Sequence, residues 1–508
     1  MAGRGGDVMP RLSRATLATV PADARPPIPA AEVGVGLVHL GIGAFHRAHQ
    51  AVYTQAAMAA TGDLRWGSCG VTQRSATVAD QLVPQDGLYS VLTRAADGVS
   101  AQVVAAVPRV LPGATSRAET VALVASADVH VVTLTVTEKG YRHDPASGRL
   151  RREDPEVQAD LRDRTAAPTT VVGQLVRGMQ RRMQLGAGPL TVVSCDNLPG
   201  NGHVLSGLVT EFAELLPAAE RNDLLDWIAA SVRFPATMVD RIVPATTAED
   251  RAEAARLLGL TDEGVVVAEP FRQWVVEDSF AAPRPAWELA GATLTDDVAP
   301  YEAMKLRLLN GTHSALAYLG ALAGVDSIAD VVADDAFAGY ARALMGVDAT
   351  PTLAVPAGFD LNSYKDDLLD RFANPALRHR TVQIAMDGSQ KLPQRLLGTI
   401  RDRRAAGAEP LHAVLAVAAW MRFVWAGADE TGRPLPLDDP MADRLRAAVA
   451  GAGDPVAVVD ALLSVPEVFG ADLREDTTVR RLLIDALRTL TRAGARAAVS
   501  GLPDVMHA

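Results

Sequence analysis

The chain has 508 residues, 48% of them hydrophobic and 21% charged, with a net charge of −11 at pH 7. That length and balance predict two or three soluble globular domains. The absence of any basic block or stripe argues against nucleic-acid binding.

The first 33 residues are expected to form an N-terminal tail without the apolar core of a signal peptide. No apolar run reaches membrane-spanning length; even VALVASADVHVVTLTV is broken by Asp128 and His130. Two cysteines, Cys69 and Cys195, provide no disulfide framework, so a reducing, cytoplasmic setting is expected.

From residue 34 the text reads as strand, tight turn, helix. VGLVHLGIGAFHRAHQAVYT holds an apolar run, then Gly41-Ile42-Gly43, then a helix-compatible stretch. RWGSCGVTQR predicts a second strand. ALVASADVHVVTLTVTEKGY predicts a helix end followed by a β-branched strand. TTVVGQLVRGMQRRMQLG predicts a helix, and PLTVVSCDNLPGNG a buried strand ending in an Asn- and Gly-rich loop. Strands alternating with helices predict a parallel sheet, hence an α/β, Rossmann-type domain over residues 34–294. After residue 295 Ala/Leu-rich segments at helical spacing dominate: 301–323, 327–347, 363–373, 396–426, 440–450, 455–466 and 478–498. They predict a mostly α-helical C-terminal domain over 295–508. The two parts are expected to pack together, with the site in a cleft between them.

Four stretches carry candidate chemistry. In LGIGAFHRAH, Gly41 and Gly43 would let the backbone turn toward a pyrophosphate at a helix start. The third glycine of the dinucleotide fingerprint is replaced by His46, so the motif alone is equally compatible with a turn that binds nothing. Arg47 beside it favours an anion. In VVSCDNLPGNG, Asn197 follows an apolar strand, where α/β sheets bind ligands; an Asx-turn is the competing structural role, and it suits Asn201-Gly202 better.

The third stretch is YEAMKLRLLNGTHSALAYLG. The chain has four lysines, Lys139, Lys305, Lys365 and Lys391, and otherwise writes arginine. At about 100° per residue, Glu302, Lys305, Asn310 and His313 fall within one arc of about 140° among leucines. A lysine in so dry a setting loses preference for its charged form and serves as a general base, which arginine does not. A lysine reaching out to water is the ordinary alternative. Further on, NPALRHRTVQIAMDGSQKLPQR gathers Arg378, Arg380, Lys391 and Arg395 with His379 and Gln383. It reads either as a solvated helix edge or as a pocket wall for a carboxylate.

Taken together, GIGAFHRAHQAVYT, TVTEKGY, SCDNLPGNG, MVDRIVP, EPFRQWVVED and KLRLLNGTHSALAYLG resemble the polyol-specific long-chain dehydrogenase/reductase family over about residues 34–500. That family includes mannitol 2-dehydrogenase, arabinitol dehydrogenase and fructuronate reductase (mannonate oxidoreductase). The resemblance implies an oxidoreductase with NAD as cofactor and no metal. It implies Lys305 as the catalytic lysine, Asn197 and Asn310 as oxyanion-binding amides, and His313 as the substrate-orienting histidine. Glu302 would be linked to proton exit, and Asp240 would be an active-site carboxylate. Cofactor contacts would fall on Gly41, Gly43, Phe45, His46, Arg47, Arg74 and Glu138.

Two departures refine this. Mannitol dehydrogenases carry an arginine where this chain has Gln383, and tend to have glycine where it has Lys139. Both changes resemble the fructuronate reductase branch, with Arg378, Arg380 and Lys391 as partners for a hexuronate carboxylate. Reduction of D-fructuronate to D-mannonate is therefore expected. Mannitol oxidation to fructose by this or another polyol dehydrogenase is the alternative, and an inactive sugar-acid-binding scaffold a remote one. The acidic residue that holds an NAD ribose is missing from GVTQRSATVADQ, where Thr77 and Arg74 stand instead, so NADP is not excluded. A small-molecule sugar acid or polyol is the expected partner, with no membrane and no nucleic acid, in a monomer or homodimer.

Overall fold

The computed structural model describes residues 9–144, 147–377 and 379–503. The chain divides into two compact units, Met1–Val298 and Ala299–Ala508.

The first unit is built on a six-stranded sheet. Its strands are β1 (Val35–Leu40), β2 (Gly67–Val71), β3 (Arg109–Leu111), β4 (Val131–Leu134), β5 (Leu190–Ser194) and β6 (Val232–Arg233). Their spatial order is β3-β2-β1-β4-β5-β6, and every pairing is parallel. This is the doubly wound order, in which the chain reverses direction across the sheet between β1 and β4. The strands read as apolar runs because helices cover both faces; β2, β4 and β5 are buried at every position. The predicted helix in the TTVVGQ stretch runs Val171–Leu185. Thr170 caps its start, accepting from the Gly173 N–H at 3.0 Å, and Gly186 at φ 61° ends it.

Two smaller sheets were not predicted. One joins Val266–Ala268, Tyr89–Ala95 and Gly98–Val104; the other joins Thr293–Thr295, Gln273–Glu277 and Thr237–Asp240. The antiparallel pair Tyr89–Ala95 and Gly98–Val104 turns at Ala96-Asp97, with Gly98 opening the second strand opposite Ala95. Its alternating text around Asp-Gly is a hairpin signal.

The expected N-terminal tail is also corrected for residues 9–33. The Leu12 N–H donates to the Thr261 carbonyl at 2.9 Å, and the Thr261 N–H to that of Pro10 at 2.8 Å. Leu12, Val20, Ala24 and Ile28 are buried in the same core as Tyr53 and Trp66. Burial at roughly 1.5–3 kcal/mol for each large apolar side chain outweighs the cost of ordering the segment.

The second unit is helical, as predicted. Leu411–Ala426 is buried on nearly all sides and packs against Gly311–Leu322 and Thr477–Ser500. A helix apolar all round forms the centre of a core rather than a surface. The segment predicted as one helix over 396–426 is two, Gly398–Ala405 and Leu411–Ala426, interrupted by Gly407 at φ 77° and by Pro410. The predicted helix over 301–323 is not uniform either. It starts as α-helix at Ala299–Met304, widens to a π-helix at Lys305–Asn310, and returns to α-helix at Gly311–Leu322. Of two further π-helical stretches among the described residues, Leu344–Ala349 and Pro393–Leu397, the latter packs closely against Lys305–Asn310.

Candidate functional site

In the first unit, candidate residues cluster at the carboxyl ends of β1, β4 and β5. Gly41 follows β1 with φ 96°; a Cβ there would lie 2.1 Å from the Thr135 carbonyl oxygen after β4. Only glycine fits this close approach. The Gly41 N–H donates to the Val71 carbonyl at 2.8 Å, and Thr135 Oγ1 donates to the Gly41 carbonyl at 2.8 Å. Gly43 is exposed and precedes the short helix Ala44–Ala48, with open room around it. Phe45 stacks on His49 at 4.9 Å.

Two of the expected cofactor contacts have interior roles instead. His46 is 1% exposed and stacks on His39 with ring centroids 3.4 Å apart. Burial, reinforced by neighbouring histidines and Arg47, holds its pKa well below the ordinary range, so it is neutral. Arg47 is buried as well. Its Nη1 donates to the Gly264 carbonyl and its Nε to that of Gly43 at 3.3 Å, and the guanidinium lies 5.6 Å from the Tyr89 ring. The expectation of an anion at Arg47 is corrected: the cation is drawn inward, toward carbonyls, Tyr89 and Asp262.

Arg74 is exposed in the loop after β2 and lines a cavity of about 520 Å³ with Gln73, Gly113, Arg117, Thr137 and Arg142. This crevice lies outside the carboxyl ends of β2, β3 and β4, where open α/β sheets hold dinucleotides. Glu138 is exposed at the start of the turn Glu138–Tyr141 beside it.

A residue that the sequence reading did not single out organises this edge. Asp196, after β5, accepts the Val136 N–H at 3.0 Å, the Thr137 N–H at 2.9 Å and the Tyr141 hydroxyl at 2.7 Å. Thr137 is held at φ 64°, ψ 161°, a region β-branched residues rarely enter. Burial pushes the Asp196 carboxyl up, opposed by the three donors. The available signal was position: an acid at a strand's carboxyl end, beside the Asn197 that was noticed. Asn197 itself is exposed on this loop. Asn201 is buried and ties the loop to Thr237–Asp240, donating to the Asp196 carbonyl at 3.1 Å and the Thr237 carbonyl at 2.9 Å. Asp240 is buried at the end of that strand, electrostatically coupled to His49 and Tyr53.

In the second unit, Lys305 is 8% exposed, while Glu302, Asn310 and His313 are half-buried. Lys305 opens the π-helix and Asn310 closes it, so the 100° wheel of an α-helix no longer describes their angles. π-Helical turns of this kind recur at functional sites. The close packing of this π-helix against Pro393–Leu397 depends on Gly311, where a Cβ would lie 2.7 Å from the Arg395 carbonyl oxygen. The His313 ring stacks on Phe372 at 5.3 Å and lies 5.4 Å from His379. Burial, then His379, Arg395, Arg371 and Lys391, hold its pKa well below the usual range.

The basic wall is unevenly available. Arg378 lies outside the described residues. Arg380 is exposed and bridges Ser327 by backbone contact. Lys391 Nζ donates to the Met386 carbonyl at 2.6 Å and lies 3.6 Å from the Asp387 carboxylate. Gln383 is exposed.

Comparison with known proteins accords with both halves. Residues 35–289 match the model of the mannitol dehydrogenase Rossmann domain, and residues 297–491 that of the mannitol dehydrogenase C-terminal domain. The chain is 42% identical to D-mannonate oxidoreductase of Escherichia coli over 92% of this chain and 95% of that protein. It is 44% identical to the Escherichia coli oxidoreductase YdfI, over 91% and 94%. The structure of Pseudomonas fluorescens mannitol 2-dehydrogenase in ternary complex with NAD and D-mannitol aligns with a TM-score of 0.82 at 37% identity, over 96% and 98% of the two chains. By sequence and by architecture, the chain is an oxidoreductase of the mannitol dehydrogenase family.

Proposed function

We propose that the chain is an NAD-dependent reductase of a keto sugar acid, interconverting D-fructuronate and D-mannonate. The observation that carries the reading is Lys305, buried at the head of a π-helix that ends in Asn310 and is followed one turn later by His313 in a strongly cationic setting. The cofactor fits the first unit: a glycine turn closed on Thr135, and a crevice outside the strand ends at Arg74 and Thr137. Gly41, Gly43, Phe45, Arg74 and Glu138 are the residues proposed to hold it. NAD supplies the hydride acceptor or donor when bound.

The remaining steps belong to the chain's own side chains. In the oxidative direction Lys305 Nζ takes the proton from the substrate hydroxyl; in the reductive direction it returns a proton to that oxygen. The amides of Asn197 and Asn310 donate to the oxygen while it carries negative charge. His313, uncharged in its buried stack, orients the substrate, and Glu302 passes the proton toward solvent. Asp240 supports the substrate side. Arg380, Lys391 and Arg378 supply positive charge for the hexuronate carboxylate. The resemblance to a D-mannonate oxidoreductase and the cations around His313 favour the sugar acid. The structural likeness to a mannitol 2-dehydrogenase favours the second reading, a mannitol dehydrogenase.

The test is NADH consumption with D-fructuronate and with D-fructose at matched concentrations. A large preference for fructuronate supports the first reading. A preference for fructose replaces it with the second.

A further inference from the structure

Arg395 belongs to the basic stretch that reads as a possible carboxylate wall, but it was not among the residues expected to be the carboxylate's partners. Arg395 lies on the π-helix Pro393–Leu397, half-buried, with its backbone against Gly311 and so against the end of the helix that carries Lys305 and Asn310. Its guanidinium has five N–H donors. Among the described residues it makes one side-chain hydrogen bond, from Nη1 to Ser314 Oγ at 3.0 Å. Ser314 is the residue after His313.

Several buried or half-buried arginines are matched, whereas Arg177 and Arg403 also keep unpartnered nitrogens. Arg182 donates to four carbonyls, Arg241 to those of Glu269 and Ala48, and Arg94 to the carboxylates of Asp250 and Glu253. Arg395 has no carboxylate within salt-bridge distance among the described residues. The acids around it are engaged elsewhere. Asp387 lies 3.6 Å from Lys391 Nζ, and Asp439 accepts the Ser389 hydroxyl and N–H at 2.6 and 2.8 Å. Among the described residues its Nε and Nη2 have no hydrogen-bond partner, and they are not among the nitrogens sealed from solvent. A half-buried guanidinium with unused donors and no carboxylate beside it is an incomplete ion pair. Burying a cation without its anion is unfavourable, so a bound anion would complete the site.

Resting on the reading of the chain as a sugar-acid reductase, we propose that Arg395 is the residue that receives the substrate's carboxylate. Its planar fork matches a carboxylate through two parallel N–H···O bonds. Ser314 fixes the fork by taking one Nη1 hydrogen, and leaves Nε and Nη2 for the ligand. Lys391, already donating to backbone carbonyls, and Arg371 add positive potential at the neighbouring His313. Burial lowers the Arg395 pKa without discharging it, and lowers that of His313 beside it; the anion thus meets a permanent cation and a neutral imidazole.

The test compares the wild-type full chain with Arg395→Gln and Arg395→Lys. The ratio of kcat/KM for D-fructuronate to that for D-fructose is measured, together with calorimetric binding of D-mannonate. Loss of a bidentate charged contact is expected to lower the ratio about 100-fold in Arg395→Gln, through KM for fructuronate, and to weaken mannonate binding similarly. Arg395→Lys, which keeps the charge but not the fork, is expected to fall between. A ratio and a mannonate affinity within about threefold of wild type overturn the proposal. If Arg395→Gln fails to fold, the Arg395→Lys ratio decides. If the wild type reduces fructose and not fructuronate, the functional reading fails; Arg395 is then judged by mannonate binding alone, and absence of that binding in the wild type overturns it too.

Discussion

Asp196→Asn isolates the role of the carboxylate that holds the loop after β4. In the wild type Oδ2 accepts from the Val136 N–H and the Tyr141 hydroxyl, and Oδ1 from the Thr137 N–H. The amide offers one acceptor oxygen in place of two. With that oxygen toward Val136 and Tyr141, its NH2 opposes the Thr137 N–H. One charge-assisted bond, about 1.5–3 kcal/mol, is lost. Thr137 then relaxes from its φ of 64°, which returns part of the roughly 1–3 kcal/mol stored there. Removing a half-buried charge returns a little more. Global stability therefore changes by only about 1 kcal/mol, within the usual spread for single substitutions. The loop geometry does not survive. Val136, Thr137 and Gly140 line the crevice assigned to the cofactor, so restoring their conformation upon binding costs about 1.5–2 kcal/mol, a 10- to 30-fold rise in the NADH dissociation constant. Fluorescence titration with NADH measures the constant, and urea unfolding measures stability. An unchanged NADH affinity, with stability lost instead, would refute the idea that this clamp shapes the cofactor site.

Lys305→Ala is expected to reduce turnover about 10³-fold while changing NADH affinity less than twofold, because the base acts on substrate alone; single-turnover kinetics paired with NADH titration checks both, and near-normal turnover removes Lys305 from its role. Stability is expected to fall as pH drops below neutrality. His39 and His49, fully buried, have pKa values lowered by burial to about 3 against 6.5 unfolded. The folded state therefore binds fewer protons between those values. The stability contributed is complete above pH 6.5 and is lost as pH falls toward 3, with about 1.4 kcal/mol gone for each histidine by pH 5.5. Urea midpoints at pH 7.5 and 5.5 read this directly, and a midpoint that stays level or rises on acidification contradicts it.

Much of the architecture was legible in the text because its causes are local. The apolar run of β1, the Gly41-Ile42-Gly43 turn and the Ala/Leu periodicity after residue 295 each encode an element through side-chain spacing. The candidate chemistry of Lys305, Asn310 and His313 was visible for a similar reason: they lie within nine residues of one helical run, and a lysine stands out in an arginine-rich chain. What local spacing cannot encode is the partner of a side chain far away in sequence. His46 and Arg47 read as cofactor contacts until the fold set them against His39, Gly264 and Tyr89. Residues 9–33 read as a tail until Leu12 met Thr261.

The sequence by itself therefore determined the alternation of strands and helices and the switch to a mostly helical second half, and it singled out the residue types proposed to move a proton. Tertiary structure alone decided which polar groups are satisfied internally. Asp196 became a clamp only because Val136, Thr137 and Tyr141 return to it across about 60 residues. Arg395 became a candidate carboxylate receptor only because Gly311 admits its backbone and the neighbouring acids are bound to Lys391 and Ser389. Satisfaction of a buried charge is a property of the whole neighbourhood, summed over segments distant in the chain, and a one-dimensional text holds no record of that sum.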